Sequence, residues 1–456
     1  MSVSRRFGAS HVWLAVAVVG GGLVLRLAVA PSYGYLGREG DLLEQKQATH
    51  RALTLGIHEV YTPNAVNDPA LAGGDWMGGY FINYPPVIVY LRYVPGAVYR
   101  WAAPEAFDLW DSELNFFSMR STDLEERLAR SRGFTVAMKL PGILADVLIS
   151  LGLLLFVFRR KGIGWGLAAA APYAFNPGII VDTAHWGQHD AVWVGLLVLS
   201  ILAIDRGWVE VSWIAYALAA LTKPQAGAFL FFIVFLGLTR APARRVVFAA
   251  GAAIATFAVV FLPFLVHGTF VTTVRAIVVS IFGGEPFVSC NAMNLWWLCT
   301  AGRGYEVSDV VPLLGPISPR KLGMSVFLVA NGWAFWRLGV RRRGTEWSFL
   351  AAAFLWMTFF IFSTELHENH MMAVVPLLAF SLPVDRRIWL LLAPLSLTLV
   401  MNLVLFDRVA RATVAGWLGL ASIDPQVPSV AAAAINVALW GWLTWLFSNR
   451  TESRPD

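Results

Sequence analysis

The sequence predicts an all-α, polytopic membrane protein forming one domain over residues 1–456, with about 12 transmembrane helices (range 11–13). Three observations lead there. Of the 456 residues, 57% are hydrophobic and only 14% charged, which excludes a disordered chain, a fibre or a nucleic-acid binder and ill suits a soluble enzyme. The apolar residues come in runs suited to a hydrocarbon core about 30 Å thick at about 1.5 Å of helical rise per residue. Small basic clusters separate those runs, so the net charge of +6 reports orientation rather than an acidic partner.

The first run, 11–30, follows Arg5 and Arg6. Ala28-Val29-Ala30 would suit signal-peptide cleavage, but the run exceeds a signal core and carries Arg26, which favours an uncleaved anchor. Further runs occupy 137–158, 163–182, 190–205, 208–222, 225–239, 246–266, 322–339, 347–363, 371–384, 388–405 and 429–447, making twelve. Basic clusters at Arg159-Arg160-Lys161, Arg244-Arg245, Arg341-Arg342-Arg343, Arg386-Arg387 and Arg450 all fall in the cytoplasm if both termini are cytoplasmic. Parity then decides residues 84–103, which are apolar but hold Arg92, Pro95 and Arg100: a crossing there would move the clusters outside. This piece is expected along the outer interface. A large extracytoplasmic loop, 31–136, and a second, 267–321, result, the latter with an apolar stretch at 276–300 expected to dip into the membrane. The charged stretch from Asp123 to Arg130 reads as an exposed helix, and Asp146 as a partner for a neighbouring helix. Cys290 and Cys299 are too few for a disulfide framework or a structural metal site.

On this topology the polar clusters share the outer side: Glu39-Gly40-Asp41, Asn83-Tyr84-Pro85-Pro86, the turn from His185 to Asp190, Lys223-Pro224-Gln225, the stretch from Asn291 to Trp296, and His367-Glu368-Asn369-His370. Taken singly, each suits an ordinary polar loop. The helices flanking Lys223 are short, which sinks its ammonium below the surface, where it needs water, a carboxylate or a bound anion. His367 and His370 are spaced i, i+3 without an HExxH pattern, so no metal site is expected. An outer-leaflet set of acid, Lys and His suits transfer of a sugar from a polyprenyl phosphate: a carboxylate takes the acceptor proton, and cations hold the leaving phosphate. Such a reaction requires no cofactor, and a divalent metal is not excluded.

The ordered motifs Gly40-Asp41, Tyr84-Pro85-Pro86, Ala145-Asp146, Asn176-Pro177, the turn from His185 to Asp190, Lys223-Pro224-Gln225, Asn294-Leu295-Trp296 and His367-Glu368 resemble multi-spanning C-type (GT-C) glycosyltransferases across nearly the whole chain. Bacterial proteins similar to the eukaryotic GPI mannosyltransferase 2 and the dolichyl-phosphate-glucose-dependent glucosyltransferases share these features. The resemblance implies an inverting transfer of a hexose, mannose first, from a polyprenyl-phosphate donor to a lipid-linked or protein acceptor outside the cytoplasm. It implies Asp41 as general base with Glu39 beside it, His367 on the donor phosphate and Glu368 orienting it. His185, Gln188 and Lys223 would line the donor cavity, with Asp190, Gln225 and Asn294 also binding substrate and Tyr84 shaping the mouth. Two departures stand out: Glu39-Gly40-Asp41 replaces a plain adjacent acid pair, and Asn369-His370 follows His-Glu where relatives carry a basic residue or Arg-Tyr. A bacterial cytoplasmic membrane is the expected location. Two rivals remain: a secondary transporter or lipid flippase, disfavoured because no internal repeat is visible, and a polymerase or ligase using a diphosphate-linked lipid.

Overall fold

The computed structural model of the chain describes residues 9–32, 41–62, 84–111, 119–282, 286–313, 315–341, 344–407, 411 and 424–449. Arg5, Arg6, Glu39, Gly40, Asn83, Arg342, Arg343 and Arg450 lie outside the described residues.

The chain opens with α1 (Ala9–Val29), followed by α2 (Asp41–Thr54), α3 (Pro86–Ala102), α4 (Pro104–Asp108) and α5 (Ser121–Arg130). Next come α6 (Arg132–Lys161), α7 (Ile163–Ala174), the short α8 (Pro177–Ile180) and a π-helical turn, Val181–Trp186. The middle of the chain forms α9 (Asp190–Asp205), α10 (Val209–Ala220), a 3-10 turn at Pro224–Phe229, α11 (Leu230–Arg240), α12 (Ala243–Val266), α13 (Phe270–Phe282) and α14 (Leu295–Cys299). Then follow α15 (Pro319–Arg341), α16 (Thr345–Phe362), a 3-10 turn at Glu368–Ala373, α17 (Val374–Ser381), α18 (Ile388–Val404) and α19 (Gln426–Asn449).

All twelve apolar runs are helical in whole or in part. By length and composition α1, α6, α12, α16 and α19 are each long and apolar enough to cross a membrane alone, and shorter apolar helices accompany them. Three runs expected as single spans are broken, 225–239 among them because it opens as the 3-10 turn Pro224–Phe229. The run 163–182 divides at Asn176-Pro177, where the Asn176 side chain accepts from the Gly178 and Ile179 amides (3.0 and 3.3 Å) and Pro177 starts a new helix. The run 371–384 begins as a 3-10 turn. The stretch 276–300 is not one continuous helix: Cys290 and Asn291, between α13 and α14, form isolated bridges to His367.

The core surrounds α16, which is apolar and buried on almost every side. α9, α15, α17 and α19 pack around it. Several of the deep charged residues are paired, as an apolar solvent favours. Arg26 Nε donates to Asp146 Oδ2 (2.9 Å), and the Tyr173 and Thr183 hydroxyls donate to the same carboxylate (2.7 Å each). Asp146 therefore ties α6 to α1, α7 and the π-helical turn. Lys139 Nζ donates to the carbonyls of Ala30, Ala184 and His185 (3.0, 2.9 and 2.7 Å), fastening the end of α1 to the same turn.

The helix that sequence patterning misses is α2. Its polar residues Gln45, Lys46, Gln47, His50 and Arg51 are buried against α3 and α6. Lys46 donates to Ser131 Oγ (3.2 Å) and lies 4.1 Å from the Trp110 ring centroid, and burial holds its pKa well below the usual lysine range.

Candidate active site

The turn between α8 and α9 is pressed onto α6 at two glycines. A Cβ on Gly142 would stand 2.8 Å from the Gln188 carbonyl oxygen. Gly187 has φ of 90°, a left-handed conformation that closes the turn, and a Cβ there would meet the Lys139 stem at 3.1 Å. The amides of Gly187 and Gln188 both donate to the Asp182 carbonyl (3.1 and 2.9 Å). This fixes the backbone from which Gln188, His189 and Asp190 project.

Asp41 is the first residue of α2, and Gln188 Nε2 donates to its Oδ2. The contact joins the first-loop acid to the turn 147 residues away. Burial pushes the Asp41 pKa up, while Lys223, the Gln188 hydrogen bond and Arg92 partly offset the shift. A carboxylate poised above its ordinary value is a better proton acceptor near neutral pH than an exposed one. Among the described residues, Asp41 thus has the environment a general base needs.

Asp190 and Lys223 lie side by side and are each 1% exposed. Lys223 Nζ donates to both oxygens of Asp190 (2.9 and 2.8 Å), Asn369 Nδ2 donates to one (2.8 Å) and Trp193 Nε1 to the other (2.9 Å). The sunken ammonium therefore has a carboxylate partner inside the protein, and the pair links α9, the Lys223 turn and the Glu368–Ala373 turn. Tyr84 faces this pair, with Lys223 Nζ 5.7 Å from its ring centroid and His189 packed edge-on at 4.4 Å. Arg92 reaches the same seam: Nη2 lies 3.4 Å from His189 Nδ1 and Nε donates to the Met138 carbonyl (3.4 Å). Burial lowers the His189 pKa well below its usual value and takes Arg92 down to about 9.

The later motifs divide. His370 Nδ1 accepts the His367 amide (3.0 Å), and Gln225 lies 3.1 Å from His370 Nε2. Burial drives the His370 pKa well below the ordinary range, so it is a neutral strut rather than a cation. His367 is half-exposed at the turn, with Nδ1 3.9 Å from Glu368 Oε2. His185 contacts Asp407 (3.3 Å) and Ser32 (2.9 Å) rather than the Asp41 cluster. Asn294, expected to bind substrate, is instead engaged within the fold: its side-chain oxygen caps α14 at the Trp297 amide (3.0 Å) and its Nδ2 donates to the Ser363 carbonyl (3.3 Å). Glu39 lies outside the described residues. Among those described, no group of three or more His, Cys, Asp or Glu could hold a metal ion.

Four contributors were not singled out from sequence. In the sequence Arg92 bears only on whether 84–103 crosses, and His189 and Asn369 stand only as members of their clusters. Asp182 falls at the end of an apolar run. It is fully buried, and neither carboxylate oxygen has a hydrogen-bond partner among the described residues. A charge inside an apolar run was the signal available for Asp182, as it was for Asp146.

Comparison with known proteins agrees with this architecture. The sequence model of the ALG6, ALG8 glycosyltransferase family matches residues 75–287. That span holds Tyr84, Arg92, the His185–Asp190 turn and Lys223 but neither Asp41 nor His367. The crystal structure of ArnT from Cupriavidus metallidurans bound to undecaprenyl phosphate superimposes with a TM-score of 0.50 at 16% identity, over 96% of this chain and 77% of that one. The chain has the fold of that ArnT. It is an integral membrane protein of that all-α type. The apo form of the same ArnT gives a TM-score of 0.49. A curated relative, the probable dolichyl pyrophosphate Man9GlcNAc2 alpha-1,3-glucosyltransferase of Caenorhabditis elegans, is 22% identical over 369 residues, which make up 77% of this chain. The chain spans 65% of that relative's length.

Proposed function

We propose that this protein is a glycosyltransferase that moves a hexosyl group from a polyprenyl-phosphate donor to an acceptor hydroxyl with inversion. The observation that carries the reading is the bond from Gln188 to Asp41, which joins an acid with a raised pKa to the turn that carries Asp190, the partner of Lys223. In the reaction the acceptor oxygen forms a bond to the anomeric carbon as the bond to the phosphate oxygen breaks. Asp41 takes the acceptor proton, and the polyprenyl phosphate leaves with the electron pair. His367, half-exposed beside Glu368, faces the leaving phosphate in this reading, and Tyr84 with Gln188 shapes the place where acceptor meets sugar. Lys223 acts through Asp190, holding the turns in register, rather than as a free anion ligand.

Mannose was the first sugar suggested by resemblance. The curated relative is named a glucosyltransferase, which makes glucose the first sugar to test. The site is proposed to face the extracytoplasmic side of a bacterial cytoplasmic membrane, with both termini cytoplasmic. Purified protein should be supplied with radiolabelled glucose and mannose on polyprenyl phosphate and, in parallel, on polyprenyl diphosphate. Labelled product from the monophosphate donors supports the reading. Product from the diphosphate donors alone replaces it with a polymerase- or ligase-type reaction.

A further inference from the structure

His367 stands at the end of a short link, residues 363–367, between α16 and the Glu368–Ala373 turn. The link is bonded along its length to the chain between α13 and α15. Asn294 Nδ2 donates to the Ser363 carbonyl (3.3 Å), and the Thr364 hydroxyl donates to Asp309 Oδ2 (2.6 Å). The Glu365 amide donates to the Phe287 carbonyl (3.1 Å), and the Leu366 carbonyl accepts from the Cys290 amide (2.9 Å). α15 presses on the start of the link, for a Cβ on Gly323 would collide with the Phe362 carbonyl oxygen.

Among the described residues, three other than glycine have a left-handed backbone, and two of them meet here: Glu365 (φ 59°) and Asn291 (φ 63°), which bridges to His367. Asparagine adopts that conformation readily, whereas the Cβ of a glutamate crowds its own backbone. Such strain persists only where surrounding contacts over-determine it. Arg320, the second residue of α15, supplies them. Its Nε and Nη2 donate to Asp309 Oδ2 and Oδ1 (2.8 and 3.0 Å), and Nη2 also donates to Glu365 Oε1. Asp309 is buried and itself fixed: its carbonyl accepts from the Arg320 amide (3.1 Å) and its amide donates to the Pro286 carbonyl (3.0 Å). Two carboxylates therefore meet the one guanidinium, in the fork geometry that makes such pairs directional. The charge of Arg320 is spent on the residue two positions before His367, not on a ligand.

We propose that Arg320 is a positioning residue: anchored on Asp309, it clasps Glu365 in the left-handed conformation and so aims His367 at the leaving phosphate. This rests on the phosphate role of His367 proposed above. The lever is short, because a backbone rotation at Glu365 redirects the chain at His367, and a contact displaced by about 1 Å loses much of its worth in a reaction site. The far side of the turn cannot make up for a lost clasp. There the Glu368 carbonyl accepts from Asn402 Nδ2 (2.9 Å), which fixes the turn after His367 but not the link before it.

The test uses the full-length protein with undecaprenyl phosphate glucose as donor. Arg320→Gln should raise the donor KM about tenfold and leave the acceptor KM unchanged. In a His367→Ala background the same change should add less than about twofold, because it acts through His367. Effects that multiply in full would put Arg320 on the phosphate itself, and an unchanged donor KM would leave the clasp without a purpose; both overturn the proposal. Glu365→Ala and Glu365→Gly each remove the carboxylate, but glycine enters the left-handed region freely. The glycine variant should therefore raise the donor KM several-fold less than the alanine variant. Equal rises would mean that Glu365 acts by its charge and not by its backbone, against the proposal. If His367→Ala itself leaves the donor KM unchanged, the phosphate role of His367 fails, and amide hydrogen exchange reads the clasp independently. Faster exchange over 364–368 in Arg320→Gln, with α16 unaltered, supports it, and wild-type exchange there overturns it.

Discussion

Replacing Lys223 by Met removes an ammonium but keeps most of the aliphatic stem, so the change is electrostatic rather than steric. It leaves Asp190 at 1% exposure with two neutral donors, Asn369 Nδ2 and Trp193 Nε1, that solvate its charge without neutralising it. Removing one member of a buried, bidentate pair costs about 3–5 kcal/mol. Asp190→Asn alone should cost a similar amount, because it strands the ammonium. The double variant lacks both charges, and exchanging both partners of a buried pair is often close to neutral. Unfolding of the detergent-solubilised protein, followed by tryptophan fluorescence, completes the double-mutant cycle. The double variant should be at least about 2 kcal/mol more stable than either single one. Losses that simply add would show that Lys223 and Asp190 act separately, and would return Lys223 to the role of a free phosphate ligand.

Asp41→Asn should reduce transfer by about 10²–10⁴-fold, the usual worth of a positioned general base, while leaving the melting temperature at neutral pH unchanged or higher. The sign follows from the raised pKa of Asp41. The stability linked to its proton is fully present below about pH 4, the unfolded value, and is lost as pH rises through the folded value. Asn removes that penalty, and a melting temperature several degrees lower would assign Asp41 a structural role. The same raised pKa places the acid limb of kcat/KM above the ordinary carboxylate value of about 4; a limb at or below it would contradict the assignment. Gly187→Ala should destabilise by about 1–2 kcal/mol through its left-handed backbone and depress transfer by shifting Gln188. Wild-type melting and turnover would show that the turn does not need that conformation.

Much of the fold was legible because apolar runs and basic clusters report the membrane directly. All twelve runs became helix. Legibility stopped where local chemistry competes with hydrophobicity: Asn176-Pro177 broke one run, and the capping contacts around His367 and His370 broke another. α2 escaped because its buried face is polar, and the partners of Lys46 on it, Ser131 and Trp110, lie far away in sequence. In the site, the residue types were visible but their pairing was not. Lys223 looked like a cation awaiting an anion, yet it meets Asp190, 33 residues earlier in the chain. Asn294 looked like a ligand contact and proved to be a helix cap. Arg92 looked like an argument about topology and lies beside the proposed base.

The most direct test combines stereochemistry with the Asp41 variant in one assay. Purified wild type and Asp41→Asn are given a polyprenyl-phosphate-linked labelled glucose of defined anomeric configuration, and product configuration and donor binding are both measured. The expected result is product of inverted configuration from the wild type, and none from a variant that still binds donor. Retained configuration, or equal turnover by Asp41→Asn, would contradict the account.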